Sequence, residues 1–63
     1  MKAKIIIQIE DHANPIRFEK GDKGYVDGYV TKGGIIKAIV VVNECFIQFS
    51  LHEIKAIKWK NKK

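Results

Sequence analysis

Four groups of side chains in this sequence have the types and spacing to do chemistry. Glu10, Asp11 and His12 are consecutive and combine two carboxylates with an imidazole, donors that a divalent metal accepts. Cys45 and His52 are the types of a thiolate nucleophile and its base. Lys55, Lys58, Lys60, Lys62 and Lys63 surround Trp59, and cations beside an aromatic ring suit a nucleic-acid backbone and its bases. Tyr25 and Tyr29 flank Asp27 at a spacing that puts all three on one side of a regular strand.

The first two groups lack the partners their chemistry needs. No C-x-x-C pair accompanies the loop histidine, and His52 is far away in sequence, so Glu10, Asp11 and His12 are read as solvated loop residues. Cys45 and His52 have no orienting third group and no set of oxyanion donors. Cys45 is read instead as a small apolar residue on the core side of a strand. A chain of 63 residues also has little room for a deep pocket. The expectation is a non-enzyme with no metal, no cofactor and no small-molecule substrate. Gly21-Asp22-Lys23-Gly24 spells the G-x-x-G of a KH phosphate clamp, but that clamp joins two helices, which are absent from this pattern. Thr31-Lys32-Gly33-Gly34 lacks the strand–loop–helix context of a Walker loop. Both are read as turns.

The elements that must position the remaining groups are strands. Ile and Val together number 16, against one Leu and four Ala. β-Branched side chains lose rotamer freedom in a helix and fit a pleated, half-buried surface. A first strand over residues 3–9 puts Ile5, Ile7 and Ile9 on one face and Lys4, Ile6 and Gln8 on the other. Residues 10–17 break the alternation and contain the sole proline, Pro15, so they form a loop. Ile16 and Phe18 suggest that its far side folds back over the core. The turn 20–24 leads to a second strand over 24–30, where Gly28 marks a bulge or sharp bend. After the turn 31–34, residues 35–42 are apolar on both faces except for Lys37, the pattern of a central strand. Asn43-Glu44 is a two-residue hairpin connection. The fourth strand, 45–50, alternates Cys45, Ile47 and Phe49 against Phe46, Gln48 and Ser50. Ser50 then starts a single helical turn, with Glu53 three residues on as in a capping box. A last strand over 55–59 puts Ile57 and Trp59 on one face. The reading is all-β: a five-stranded SH3-like small barrel with one helical turn before the last strand. An open OB-type barrel is the alternative. Residues 1–59 form the single domain and residues 60–63 a basic tail.

Residues 18–26 read F-x-x-G-D-x-G-x-V, which resembles the opening of several SH3-like families, KOW-type modules of ribosomal and transcription factors among them. Residues 38–42 and 49–54 resemble the closing strands and short turn of the same barrels. The likeness covers residues 18–57 and consists of the glycines and aliphatics that make the fold, so it is one of architecture. In KOW modules a further glycine lies between basic residues, about where Thr31-Lys32-Gly33-Gly34 stands. The short, Lys- and Ile-rich chain also resembles small accessory proteins of phages and mobile elements, a likeness that implies no single activity.

Charge narrows the partners. The formal net charge is +5, from 12 Lys and Arg against seven Asp and Glu. Residues 1–9 carry +2, residues 10–30 carry −2, residues 31–54 are balanced and residues 55–63 carry +5. The body is therefore close to neutral and the surplus lies at the two ends. Lys2 and Lys4 join the C-terminal cluster if first and last strands pair. That edge, Lys2, Lys4, Lys55, Lys58, Trp59, Lys60, Lys62 and Lys63, is the candidate nucleic-acid surface, although a solubilising end with Trp59 packed inside is the favoured reading of it. With Arg17 as the one arginine, any such contact would be to backbone and non-specific. The candidate protein-binding surface is Tyr25, Asp27 and Tyr29. Protein interaction, a homodimer included, is the favoured class and nucleic-acid binding the alternative. No apolar run approaches the ~20 residues a membrane helix needs. The N-terminal apolar stretch is too short for a signal peptide and Cys45 has no disulfide partner, so a cytoplasmic location is expected.

Overall fold

The computed structural model describes residues 2–57. Five antiparallel strands, β1 (Lys4–Ile7), β2 (Lys23–Lys32), β3 (Ile35–Val42), β4 (Cys45–Ser50) and β5 (Ile54–Ile57), form one sheet in the order β4-β3-β2-β1-β5. A 3₁₀ turn, Leu51–Glu53, joins β4 to β5. The all-β reading, the strand count and the helical turn before the last strand hold. β4 and β5 are the two edges, and hydrogen bonds do not join them among the described residues, so the sheet is not closed into a barrel by its ladder. Its order is compatible with an SH3-like small barrel. No helix among the described residues is long and apolar enough to cross a membrane.

The inner face holds the core: Ile5, Ile7, Phe18, Val26, Ala38, Val40, Val42, Ile47 and Phe49 are all buried. β1, β3 and β4 contribute alternate residues, as a pleated sheet with one dry face requires, β2 contributes Val26, and Ile54 of β5 packs against them half-buried. Phe18, the end of the long first loop, meets the Phe49 ring edge-on at 5.2 Å between centroids. Ile16, expected to follow it inward, is instead 54% exposed.

Turn chemistry explains the strand ends. Gly33 and Gly34 both have positive φ, so two residues alone reverse the chain. Thr31 and Lys32, expected in that turn, therefore extend β2 instead. Asn43 and Glu44 also take positive φ, 50° and 65°, and make the tight connection between β3 and β4. Glu53 accepts a hydrogen bond from the Ser50 backbone N–H at 2.9 Å, which holds the 3₁₀ turn as the capping pattern anticipated.

The SH3-like motif has a physical reason at each of its fixed positions. Phe18 and Val26 are core residues. Gly21 has φ +98°, which side chains rarely adopt. The Asp22 carboxylate accepts the Glu19 N–H at 2.9 Å and closes the turn. Gly24 lies where β2 presses on β3, with no space for a Cβ.

Candidate functional site

The register of β2 on β3 decides where the tyrosines go. Tyr25 pairs with Val41 and Val26 with Val40, but the next pair is Gly28 with Ile39. Asp27 is the extra residue of a β-bulge, at the place that Gly28 had marked. Beyond it Tyr29 pairs with Ala38, whose side chain belongs to the core. Opposed residues share a face, so Tyr25 lies on the outer face and Tyr29 on the inner one. The register thus parts Tyr25 from Tyr29 across the bulge, while Asp27 and Tyr29 line one open hollow. A regular strand would have kept the two tyrosines together; one inserted residue inverts everything after it.

Asp27 is committed within the fold. The Lys2 ammonium bonds its carboxylate at 2.7 Å and lies 5.7 Å from the centre of the Tyr25 ring. That hydrogen bond, with the negative charge behind it, holds the Lys2 pKa above the ordinary lysine value. A candidate nucleic-acid residue is thereby joined to two candidate protein-binding ones. Tyr29, 62% exposed, lines an open hollow beside the bulge with Lys2 and Asp27.

The outer face carries what single-strand reading missed. Rows of paired residues cross the whole sheet, and one of them runs Ile57, Lys4, Tyr25, Val41, Phe46. Phe46 is 69% exposed, while Tyr25 is 37% exposed. The next row toward the β2–β3 turn is Gly28, Ile39 and Gln48, in which glycine leaves Ile39 open on one side. Tyr25, Val41, Ile39 and Phe46 make an apolar half of this face. The signal was present in the sequence as a phenylalanine on the polar side of β4 and a β3 apolar on both sides.

The other half is basic. Ile6 is flanked by Lys23 on β2 and Lys55 on β5, with Lys4 in the adjoining row. The pairing of β1 with β5 brings Lys4 and Lys55 onto one face, as expected from the first and last strands meeting. Lys58, Trp59, Lys60, Lys62 and Lys63 lie outside the described residues.

The acidic loop proves structural. Arg17 donates to Asp11 through Nε and Nη2, both at 2.8 Å, and its backbone N–H adds a third bond at 2.7 Å. The Ala13 N–H bonds the same carboxylate at 3.1 Å. The Arg17 side chain, with the two backbone N–H groups, holds the Asp11 carboxyl far below the usual carboxylate range. Asn43 then ties this loop to the β3–β4 turn, donating to the Arg17 carbonyl at 3.0 Å and to Asp22 at 3.1 Å. No group of three or more metal-ligating side chains occurs among the described residues. Cys45 is a partly buried free thiol packed against the core.

The Asp11 clamp sets a pH dependence. Its carboxylate is charged in the folded protein at pH values where an unfolded chain already binds the proton. Stability from the clamp is complete above the ordinary carboxylate pKa of about 4 and drains away as pH falls below it. We expect urea midpoints of wild type and Asp11→Asn to differ at pH 7 and to converge as the pH is lowered through 4 toward 2. A constant difference across that range would mean that the charge is not what holds the loop.

No protein-family model, no curated protein and no solved structure significantly matches this chain. Its function is therefore argued from the surface alone.

Proposed function

We propose that this chain is a small non-catalytic binding module of SH3-like architecture whose outer sheet face docks on protein. The observation that carries this reading is the apolar ladder of Tyr25, Val41 and Phe46, with Ile39 beside it, on the solvent side of the sheet. Single exposed apolar residues are ordinary, whereas a contiguous aromatic and β-branched patch is typical of an interface. Aromatic residues contribute most where they fill a partner's surface, so Phe46 and Tyr25 are the anchors. The size and style of the chain agree with an accessory protein of phage or mobile-element type acting in the cytoplasm.

The test is affinity capture with three baits. Partners retained by wild type and by Tyr29→Ala but lost by a Tyr25→Ala/Phe46→Ala double variant support the outer face. Identical capture by all three removes it.

One observation favours a second reading. Lys4, Lys23 and Lys55 share the outer face beside Ile6, and the Lys-rich end of the chain continues from β5. Such an edge suits a nucleic-acid backbone, with binding that falls steeply as salt rises. Fluorescence anisotropy with single- and double-stranded oligonucleotides separates the readings, since an apolar protein contact has no such slope.

A further inference from the structure

The β4 edge is built unlike the β5 edge, and the difference specifies a partner. The two-residue β3–β4 turn makes Val42 and Cys45 a hydrogen-bonded pair. Antiparallel pairs alternate, so Val40–Ile47 and Ala38–Phe49 also exchange hydrogen bonds, while Phe46, Gln48 and Ser50 turn their backbone groups away from β3. An independent contact agrees: the Ser50 N–H points outward and is taken by Glu53 at 2.9 Å. Glu44, the preceding position of this parity, is in the turn with φ 65° and cannot serve a ladder. Among the described residues β4 pairs with β3 alone, so Phe46 and Gln48 hold the open donors and acceptors of this edge.

Proteins usually blunt such an edge with lysine, proline, a bulge or an inward charge. Cys45-Phe46-Ile47-Gln48-Phe49-Ser50 has none of these and pairs with β3 residue for residue. At the opposite edge, β5 carries Lys55, the first of the five lysines of residues 55–63.

We infer that β4 pairs antiparallel with β4 of a second copy of this chain about a twofold axis at Ile47. This rests on the protein-binding reading and adds a second copy as a partner at the β4 edge. The register follows from the open groups: Phe46 of each copy faces Gln48 of the other, and each such pair exchanges N–H to C=O bonds in both directions. Registers that use Ser50 or Glu44 are closed by the Glu53 contact and by the turn. Opposed residues in this register share a face, so the two inner faces remain one continuous surface and the two outer faces another. The Phe46 rings become diagonal neighbours across the seam, within reach of each other, and the aromatic with the highest fractional exposure among the described residues is covered. Charge selects the edge as well as the occupant. Joining at neutral β4 leaves the basic edges of the two copies at the far ends of the combined sheet, whereas joining at β5 would oppose them.

Sedimentation equilibrium of the full chain across a wide concentration range, with amide exchange read residue by residue, tests this. A monomer–dimer equilibrium is expected, with Phe46 and Gln48 amides at least tenfold slower to exchange in the dimer than in dilute monomer. Gln48→Pro removes an outward N–H that β3 does not use, and Phe46→Lys places a charge at the seam. Both are expected to weaken association at least tenfold while far-UV circular dichroism stays that of the wild type. A strict monomer at all concentrations overturns the inference, as does assembly beyond the dimer. So does a dimer whose Phe46 and Gln48 amides exchange at open rates. A strict monomer that still loses its captured partners in the Tyr25→Ala/Phe46→Ala variant overturns this inference while leaving the protein-binding reading standing.

Discussion

Gly24→Ala destabilises the sheet by about 2 kcal/mol or more, although it adds one methyl group to a strand. A Cβ at this position would stand 2.5 Å from the Val41 carbonyl oxygen, 3.0 Å from Val40 Cγ1 and 3.2 Å from Val42 Cβ. The nearest atom is backbone, so no rotamer change relieves the contact and β2 must move off β3. Overpacking of this kind costs about 3 kcal/mol, offset by about 0.5–1 kcal/mol from alanine's smaller loss of chain freedom. A domain of this length has roughly 3–9 kcal/mol of stability in all, so the melting temperature falls by about 10–15 °C. Gly28→Ala is the control. It lies in the same strand, has no positive φ, and a Cβ there meets nothing within 4 Å. Its effect is expected within about 0.5 kcal/mol. Thermal and urea unfolding followed by circular dichroism reads both, and equal effects at the two glycines would refute the close-approach account.

Two phenylalanines three positions apart on β4 give the second large contrast. Phe49 is 2% exposed and packs edge-on against Phe18, so Phe49→Ala opens a cavity under the first loop. The cost is about 3–5 kcal/mol, enough to unfold much of the population at physiological temperature. Phe46 points the other way and has Val41 as its cross-strand neighbour. Phe46→Ala costs under about 1 kcal/mol of folding, the range of a cross-strand pair. Its loss falls on binding instead, by about 2 kcal/mol or some thirtyfold if Phe46 is an anchor. Parallel unfolding curves and binding titrations on the two variants check this: one loses the fold, the other the partner. A Phe46→Ala protein that binds as wild type does would remove the outer face from consideration.

The contrast at Phe46 and Phe49 also shows how much of the molecule is local. Period-two alternation assigned both rings to their faces, and the excess of Ile and Val over Leu and Ala made the chain all-β. Turn residues located the hairpins, because Gly33-Gly34 and Asn43-Glu44 reverse the chain in two residues each. Ser50 and Glu53 marked the one helical turn. Backbone stereochemistry and pleat geometry act over a few residues, so a linear reading reaches them.

Other features rest on contacts between distant segments, and pairing register alone decided them. Whether Gly28 relieved a bend or inserted a residue could not be read from β2 itself. The slip against Ile39 inserted Asp27 and sent Tyr29 to the opposite face from Tyr25. Lys2 acquired Asp27 as its partner from 25 positions away. Asp11, a metal-ligand type by residue alone, became the organiser of its loop once Arg17 folded back onto it. The outer ladder of Tyr25, Val41 and Phe46 draws one residue from each of three strands. No segment contains it, so it came into being only when those strands were laid side by side.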